Sequence, residues 1–204
     1  TASRLISLAD YPIYFFSDEA VQTVLASDFV RDGFYGYDGV FLPTYFENAM
    51  LYNLSLSVYI QVIPYLLFGK SIFITRAVSA LISLSAAYAV SLIVKRAFNF
   101  RHSWIGLLVF SILPAWFLHS RTAFETVLFV STFIWMIYFY FRYRLENPRF
   151  LYLVIVFAAL AFYSYRGGQI ILLSIGILLF ISDWSYHRRN LTTLIKGFFL
   201  ALFL

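Results

Sequence analysis

AVSALISLSAAYAVSLIV, residues 77–94, carries no charge over its whole length and is bounded by Arg76 on one side and Lys95-Arg96 on the other. At about 1.5 Å per residue it measures roughly 27 Å as a helix, close to the ~30 Å hydrocarbon core of a bilayer. Ser79, Ser83 and Ala87 recur in it every four positions, the spacing of a small-residue face between packed helices. Similar apolar runs occupy residues 103–118, 126–141, 150–165 and 167–182, and a truncated one fills 191–204. Snorkelling Arg and Lys and interfacial aromatics extend such runs to the membrane thickness. The expected fold is all-α: a polytopic transmembrane helix bundle, one transmembrane domain over residues 1–204, with surface helices in a first outer loop at about 17–76.

Composition agrees. Hydrophobic residues make up 62% of the chain and charged residues 12%, and the mean hydropathy of +0.80 is that of an integral membrane protein. The net charge of +5 comes from residues scattered between apolar runs, which excludes a nucleic-acid patch and reads as topology. There is no cysteine, so disulfides, thiolate nucleophiles and Cys-based metal sites are excluded. The chain opens on Thr1 and stops within the apolar stretch 198–204, so a fragment of a longer protein is expected.

The loops alternate in chemistry. Lys95, Arg96 and Arg101, then Arg142, Arg144 and Arg149, then Arg188, Arg189 and Lys196 mark one side, which the positive-inside rule makes cytoplasmic. The joints at 119–125 and 163–169, together with Arg76, then face outward. Seven of the ten acidic residues lie between Asp10 and Glu47, which sets this region apart from the basic loops and assigns it to the outer side. Residues 51–68 are apolar enough to span, yet a crossing there would separate Asp18 from Arg76. Asn53, Ser55, Ser57, Gln61 and Pro64 interrupt that stretch, so residues 45–68 are expected to form an outer-surface or re-entrant helix. Residues 20–30 have the spacing of an amphipathic helix, with Val21, Val24, Leu25 and Asp28-Phe29 recurring at helical intervals and Gly33 stopping the run. Residues 33–39 carry the glycines of a turn-rich loop.

Two carboxylates at the edge of a bilayer need a reason to be there. Asp18-Glu19 reads either as the acidic first turn of a helix or as a catalytic pair, in which a carboxylate takes the proton of an acceptor hydroxyl. Arg76, Arg121 and Arg166 on the same side supply forks suited to phosphate oxygens, although each alone also suits an interfacial anchor. His119 and Glu125 are possible support, and Glu125, four residues after Arg121, also suits an intrahelical pair with it. The histidines His102, His119 and His187 form no metal-ligand cluster. No metal site is assigned and no cofactor is certain, with a divalent metal left open.

The order of these features resembles the polyprenol-phosphate-dependent glycosyltransferases of the GT-C fold, of the protein O-mannosyltransferase and aminoarabinose transferase type. The resemblance rests on the leading Asp18-Glu19, the aromatic outer loop, LFGKSIFITRAVSAL at 67–81, KRAF at 95–98, Leu113-Pro114 and Ser120-Arg121. It implies a lipid-phosphate sugar donor entering from the bilayer and a protein or lipid acceptor, with Asp18 as general base and Glu19 its neighbour. It also implies Arg76 and Arg121 near the donor phosphate. The implied place is a plasma membrane of a bacterium or archaeon, or the endoplasmic reticulum, with the active site on the non-cytoplasmic face. Where several relatives carry a Lys-Pro-Pro motif, this chain has Glu47-Asn48-Ala49-Met50, which leaves sugar and acceptor open. The resemblance also implies longer relatives, which leaves open whether the chain by itself is active. A membrane transporter and a non-catalytic membrane scaffold are the competing classes; few charges fall mid-span, where an ion relay would need them.

Overall fold

The computed structural model describes residues 2–48 and 51–204. The helices are α1 (Ala2–Leu5), α2 (Ser17–Arg31), α3 (Ser55–Phe68), α4 (Ile72–Ala97), α5 (Trp104–Ile112), α6 (Pro114–His119), α7 (Glu125–Leu145), α8 (Leu151–Phe162), α9 (Arg166–Ser182), α10 (Trp184–Arg189) and α11 (Leu191–Phe203). One antiparallel hairpin joins β1 (Tyr45–Asn48) to β2 (Leu51–Leu54). The chain is an all-α membrane bundle carrying this one small hairpin. Helices α4 and α7, with 26 and 21 residues, are long and apolar enough to cross a membrane, and measure about 39 and 32 Å. The apolar runs at 150–165, 167–182 and 191–204 form shorter helices of about 18 to 26 Å.

Two expectations are corrected. The run at 103–118 is not one helix, because the chain breaks at Leu113, whose backbone is non-helical, and restarts with Pro114 in the first turn of α6. Proline lacks the N–H that would continue the ladder, and its ring pushes the preceding residue out of the α region. Residues 45–68 are not one helix either. Their first part is the hairpin, with Tyr45 opposite Leu54 and Phe46 opposite Asn53, and helix begins only at Ser55. Ala49 and Met50 lie outside the described residues. Pro64 is accommodated inside α3.

The chain divides into two compact units, one reaching Leu84 and taking in Ile112–Leu128, the other holding Ser85–Ser111 and Phe129–Leu204. In the first, α2 packs on α3 around Leu25, Ala26, Phe29, Phe46 and Val58. Helix α2 stops as a Schellman motif: Phe34 N–H donates to Phe29 O (2.8 Å), Gly33 N–H to Val30 O (3.3 Å), and Gly33 takes φ +69°. The rings of Phe34 and Phe29 meet edge to face at 5.3 Å, closing the turn. The glycine-rich stretch that follows is indeed turn, pinched by the Tyr35–Phe41 bridge. In the second unit, Phe129, Met136, Ala161 and Leu172 centre the packing, Trp135 stacks on Phe139 and Phe157, and Gly168 sits where any side chain would strike the Phe129 ring. The basic loops of this unit are tied by Arg96–Glu146 (3.1 Å) and Arg142–Glu146 (2.6 Å).

The buried face of α2 differs from the expected apolar stripe. Val24 is exposed, while Glu19, Gln22 and Thr23 are buried beside Leu25, Ala26 and Phe29. The first half of the helix therefore buries polar groups, and the second half buries Leu25, Ala26 and Phe29 with Ser27 among them. Phe29→Ala is expected to cost about 3–5 kcal/mol through lost burial and the cavity left behind, and Val24→Ala less than about 0.5 kcal/mol. Thermal unfolding of the two variants in the same detergent checks this, and equal shifts would refute the assigned face.

Candidate active site

Three arginines are buried in the first unit: Arg4, Arg76 and Arg121, with 1%, 0% and 6% of their surface exposed. A buried guanidinium demands partners for its N–H groups, and the N-terminal segment supplies them with its carbonyls. Arg76, one turn into α4, donates from Nη1 to Leu8 O (3.1 Å) and Pro12 O (2.9 Å), and from Nη2 to Tyr14 O (2.8 Å). Its Nε and Nη2 also grip the two carboxylate oxygens of Glu19 at 2.9 and 3.0 Å. Arg121 reaches the carbonyls of Ser3, Arg4, Ile6, Ser7 and Tyr11 at 2.8 to 3.2 Å. Arg4 donates to Ser83 Oγ and Ser120 Oγ and lies over the Phe117 ring. Segment 3–14 is thus wrapped around two guanidinium forks. Burial lowers the proton affinity of Arg121, and Arg76 beside it adds to the effect.

The acidic pair is split by this arrangement. Neighbouring residues on a helix point about 100° apart, so the turn that sends Glu19 inward sends Asp18 outward. Glu19 is 0% exposed and also accepts the backbone N–H of Ala123 (3.0 Å) and Phe16 (3.2 Å). Gln22 donates to the Ala123 carbonyl, and Thr23 shares a hydrogen bond of 2.7 Å with Thr75. Asp18 lies in the first turn of α2, exposed, with only a 3.5 Å contact from Ser17.

Glu125 does not pair with Arg121. Its Oε1 accepts from Asn53 Nδ2 (2.9 Å) and lies 3.4 Å from the Ser57 hydroxyl, because Arg121 is turned toward the N-terminal carbonyls. Asn53, Ser57 and Gln61, the positions that interrupt the apolar stretch, are spaced four apart and turn toward buried partners, Gln61 donating to Thr75 O (3.2 Å). Their function was legible only as interruption; the spacing was the available signal. His119 shares a hydrogen bond with Thr126 and lies against the rings of Trp116 and Phe124, with burial lowering its proton affinity. Among the described residues no three of His, Asp and Glu converge as a metal-ligand set. Arg166 opens α9 in the second unit and is exposed. Arg76 has all five N–H groups on protein acceptors, and both Nη groups of Arg121 are bound to carbonyls.

Removing one partner of a buried ion pair leaves an uncompensated charge, at a cost of about 3–5 kcal/mol. Glu19→Gln is therefore expected to lower stability by that order, while Asp18→Asn shifts it by less than about 0.5 kcal/mol. Thermal unfolding of both checks the split, and a Glu19→Gln variant as stable as the parent would refute it.

Residues 56–204, from the first turn of α3 to the last residue, match the family model of dolichyl-phosphate-mannose-protein mannosyltransferases, a match that begins after the acidic pair and takes in Arg76, Arg121, Glu125 and Arg166. No curated protein and no solved structure matches the chain. With most of its length under that model, and with the apolar helices and buried arginines described above, the chain belongs to the dolichyl-phosphate-mannose-protein mannosyltransferase family.

Proposed function

We propose that this membrane glycosyltransferase moves a sugar from a polyprenyl-phosphate donor to an acceptor hydroxyl on the non-cytoplasmic face, with Asp18 as general base in a GT-C-type site. The observation that carries the reading is the split of the acidic pair: Glu19 is sealed in an ion pair with Arg76, and Asp18 beside it is exposed. A base must reach the proton it removes, and of the two carboxylates Asp18 is the one open to an incoming hydroxyl. The Arg76 fork grips Glu19 and the N-terminal carbonyls, fixing the start of α2 and so the position of Asp18.

The chemistry is a single displacement. The acceptor oxygen attacks the anomeric carbon, the bond from that carbon to the phosphate oxygen breaks, and the proton of the acceptor hydroxyl passes to Asp18. Polyprenyl phosphate leaves with the bonding electron pair and needs little protonation. Arg4, Arg76 and Arg121 bury three positive charges against the one buried carboxylate, Glu19, among the described residues. Their excess charge favours an anionic leaving group nearby without direct contact, since fixed charges in a low-dielectric setting act over longer range than in water.

Asp18→Asn, in the full-length protein reconstituted with dolichyl-phosphate mannose and a serine- and threonine-containing peptide, is expected to lose about 10²–10⁴ in transfer rate with its thermal stability kept. Transfer at the parent rate would exclude Asp18 as the base.

A further inference from the structure

Glu125 carries an open oxygen. Its Oε1 accepts from Asn53 Nδ2 at 2.9 Å, and the Ser57 hydroxyl, 3.4 Å away, lies nearer the Leu54 carbonyl at 3.0 Å, so its one proton serves one acceptor at a time. Among the described residues Oε2 has no hydrogen-bond partner and the carboxylate has no cation. The carboxylate is half-buried and held by one firm neutral bond, which leaves Oε2 open to an incoming donor. Asn53 is itself fixed. Asn48 Nδ2 donates to its Oδ1 (3.2 Å), which turns the Asn53 nitrogen toward Glu125 and leaves its second N–H unused among the described residues.

This corner adjoins Asp18. The Ala123 N–H bond to Glu19 and the contact of the Phe16 and Phe124 rings at 5.5 Å clamp the first turn of α2 onto the segment leading into Glu125.

We infer that Glu125 Oε2 and the free N–H of Asn53 form a hydroxyl-binding position beside Asp18, which hydrogen-bonds an alcohol of the reacting molecules. A carboxyl oxygen next to an amide N–H offers an acceptor and a donor side by side, the complement of a hydroxyl or of two adjacent ones. Two sources supply that chemistry, the hydroxyls of the transferred sugar and the hydroxyl of the acceptor. The inference rests on the transferase reading above.

The test is steady-state kinetics of full-length Glu125→Gln and Asn53→Ala, reconstituted in lipid, with dolichyl-phosphate mannose and a serine- and threonine-containing peptide varied separately and Asp18→Asn alongside. Loss of a hydrogen bond to a charged group corresponds to about a ten- to hundred-fold effect, so Glu125→Gln is expected to raise one KM by that factor, with Asn53→Ala raising the same KM less. A raised donor KM assigns the position to the sugar, and a raised peptide KM assigns it to the acceptor. Unchanged KM values, with or without a fall in kcat, overturn the inference, as does a fall in thermal stability that accounts for the lost activity. If the parent transfers nothing, the transferase reading fails first, and if Asp18→Asn is fully active, the assignment of Asp18 as base fails; an inactive Asp18→Asn beside a normal Glu125→Gln sinks this inference alone.

Discussion

The ion pair between Arg76 and Glu19 is the contact on which the first unit depends. It joins α4 to α2 with neither partner exposed, and a bare guanidinium in that position would be prohibitively costly. The protein therefore brings everything to it: a carboxylate from α2, and the carbonyls of Leu8, Pro12 and Tyr14 from the N-terminal segment. Segment 3–14 has little regular structure beyond α1, so its carbonyls lack ladder partners and need donors. Arg76 and Arg121 meet that need. Each guanidinium neutralises what would otherwise be several orphaned backbone groups, and the irregular segment in turn solvates a charge that no water reaches.

From that contact follows the position of Asp18. Once Glu19 is committed inward, helical geometry turns Asp18 about 100° away, and it is exposed. The same commitment fixes segment 120–125, because Glu19 and Gln22 both bind the backbone of Ala123. Glu125 and the stripe Asn53, Ser57 and Gln61 are thereby set beside the start of α2. Two arginines and one carboxylate are thereby satisfied inside the unit, while Asp18 and Glu125 keep open oxygens and are the carboxylates proposed above for chemistry.

Much of the fold was legible in the sequence, because uncharged runs report helices directly and because charge counting around the loops put Arg76 with the acidic pair, which the ion pair now joins. The helix break at Leu113-Pro114 was overridden by the continuity of the apolar run, although the proline rule pointed to it. The hairpin at 45–54 was hidden because aromatic and apolar residues suit a short strand and a surface helix alike. In the site, residue types were readable and their orientation was not. Asp18 and Glu19 are chemically near-equivalent, and only the tertiary position of Arg76 decides which turns inward. The arginines were read as ligands for a phosphate, and the carbonyl oxygens that occupy their forks in this structure are invisible in a sequence. Asn53, Ser57 and Gln61 looked like defects in an apolar stretch because their partners lie far away in the chain.

The most direct measurement is an experimental structure of the protein in lipid with dolichyl-phosphate mannose bound. The account predicts the anomeric carbon beside Asp18, the Arg76–Glu19 pair and its carbonyl partners intact, and the phosphate off the forks of Arg76 and Arg121. A donor phosphate gripped by Arg76 with Glu19 displaced, or a sugar seated away from Asp18, would contradict it.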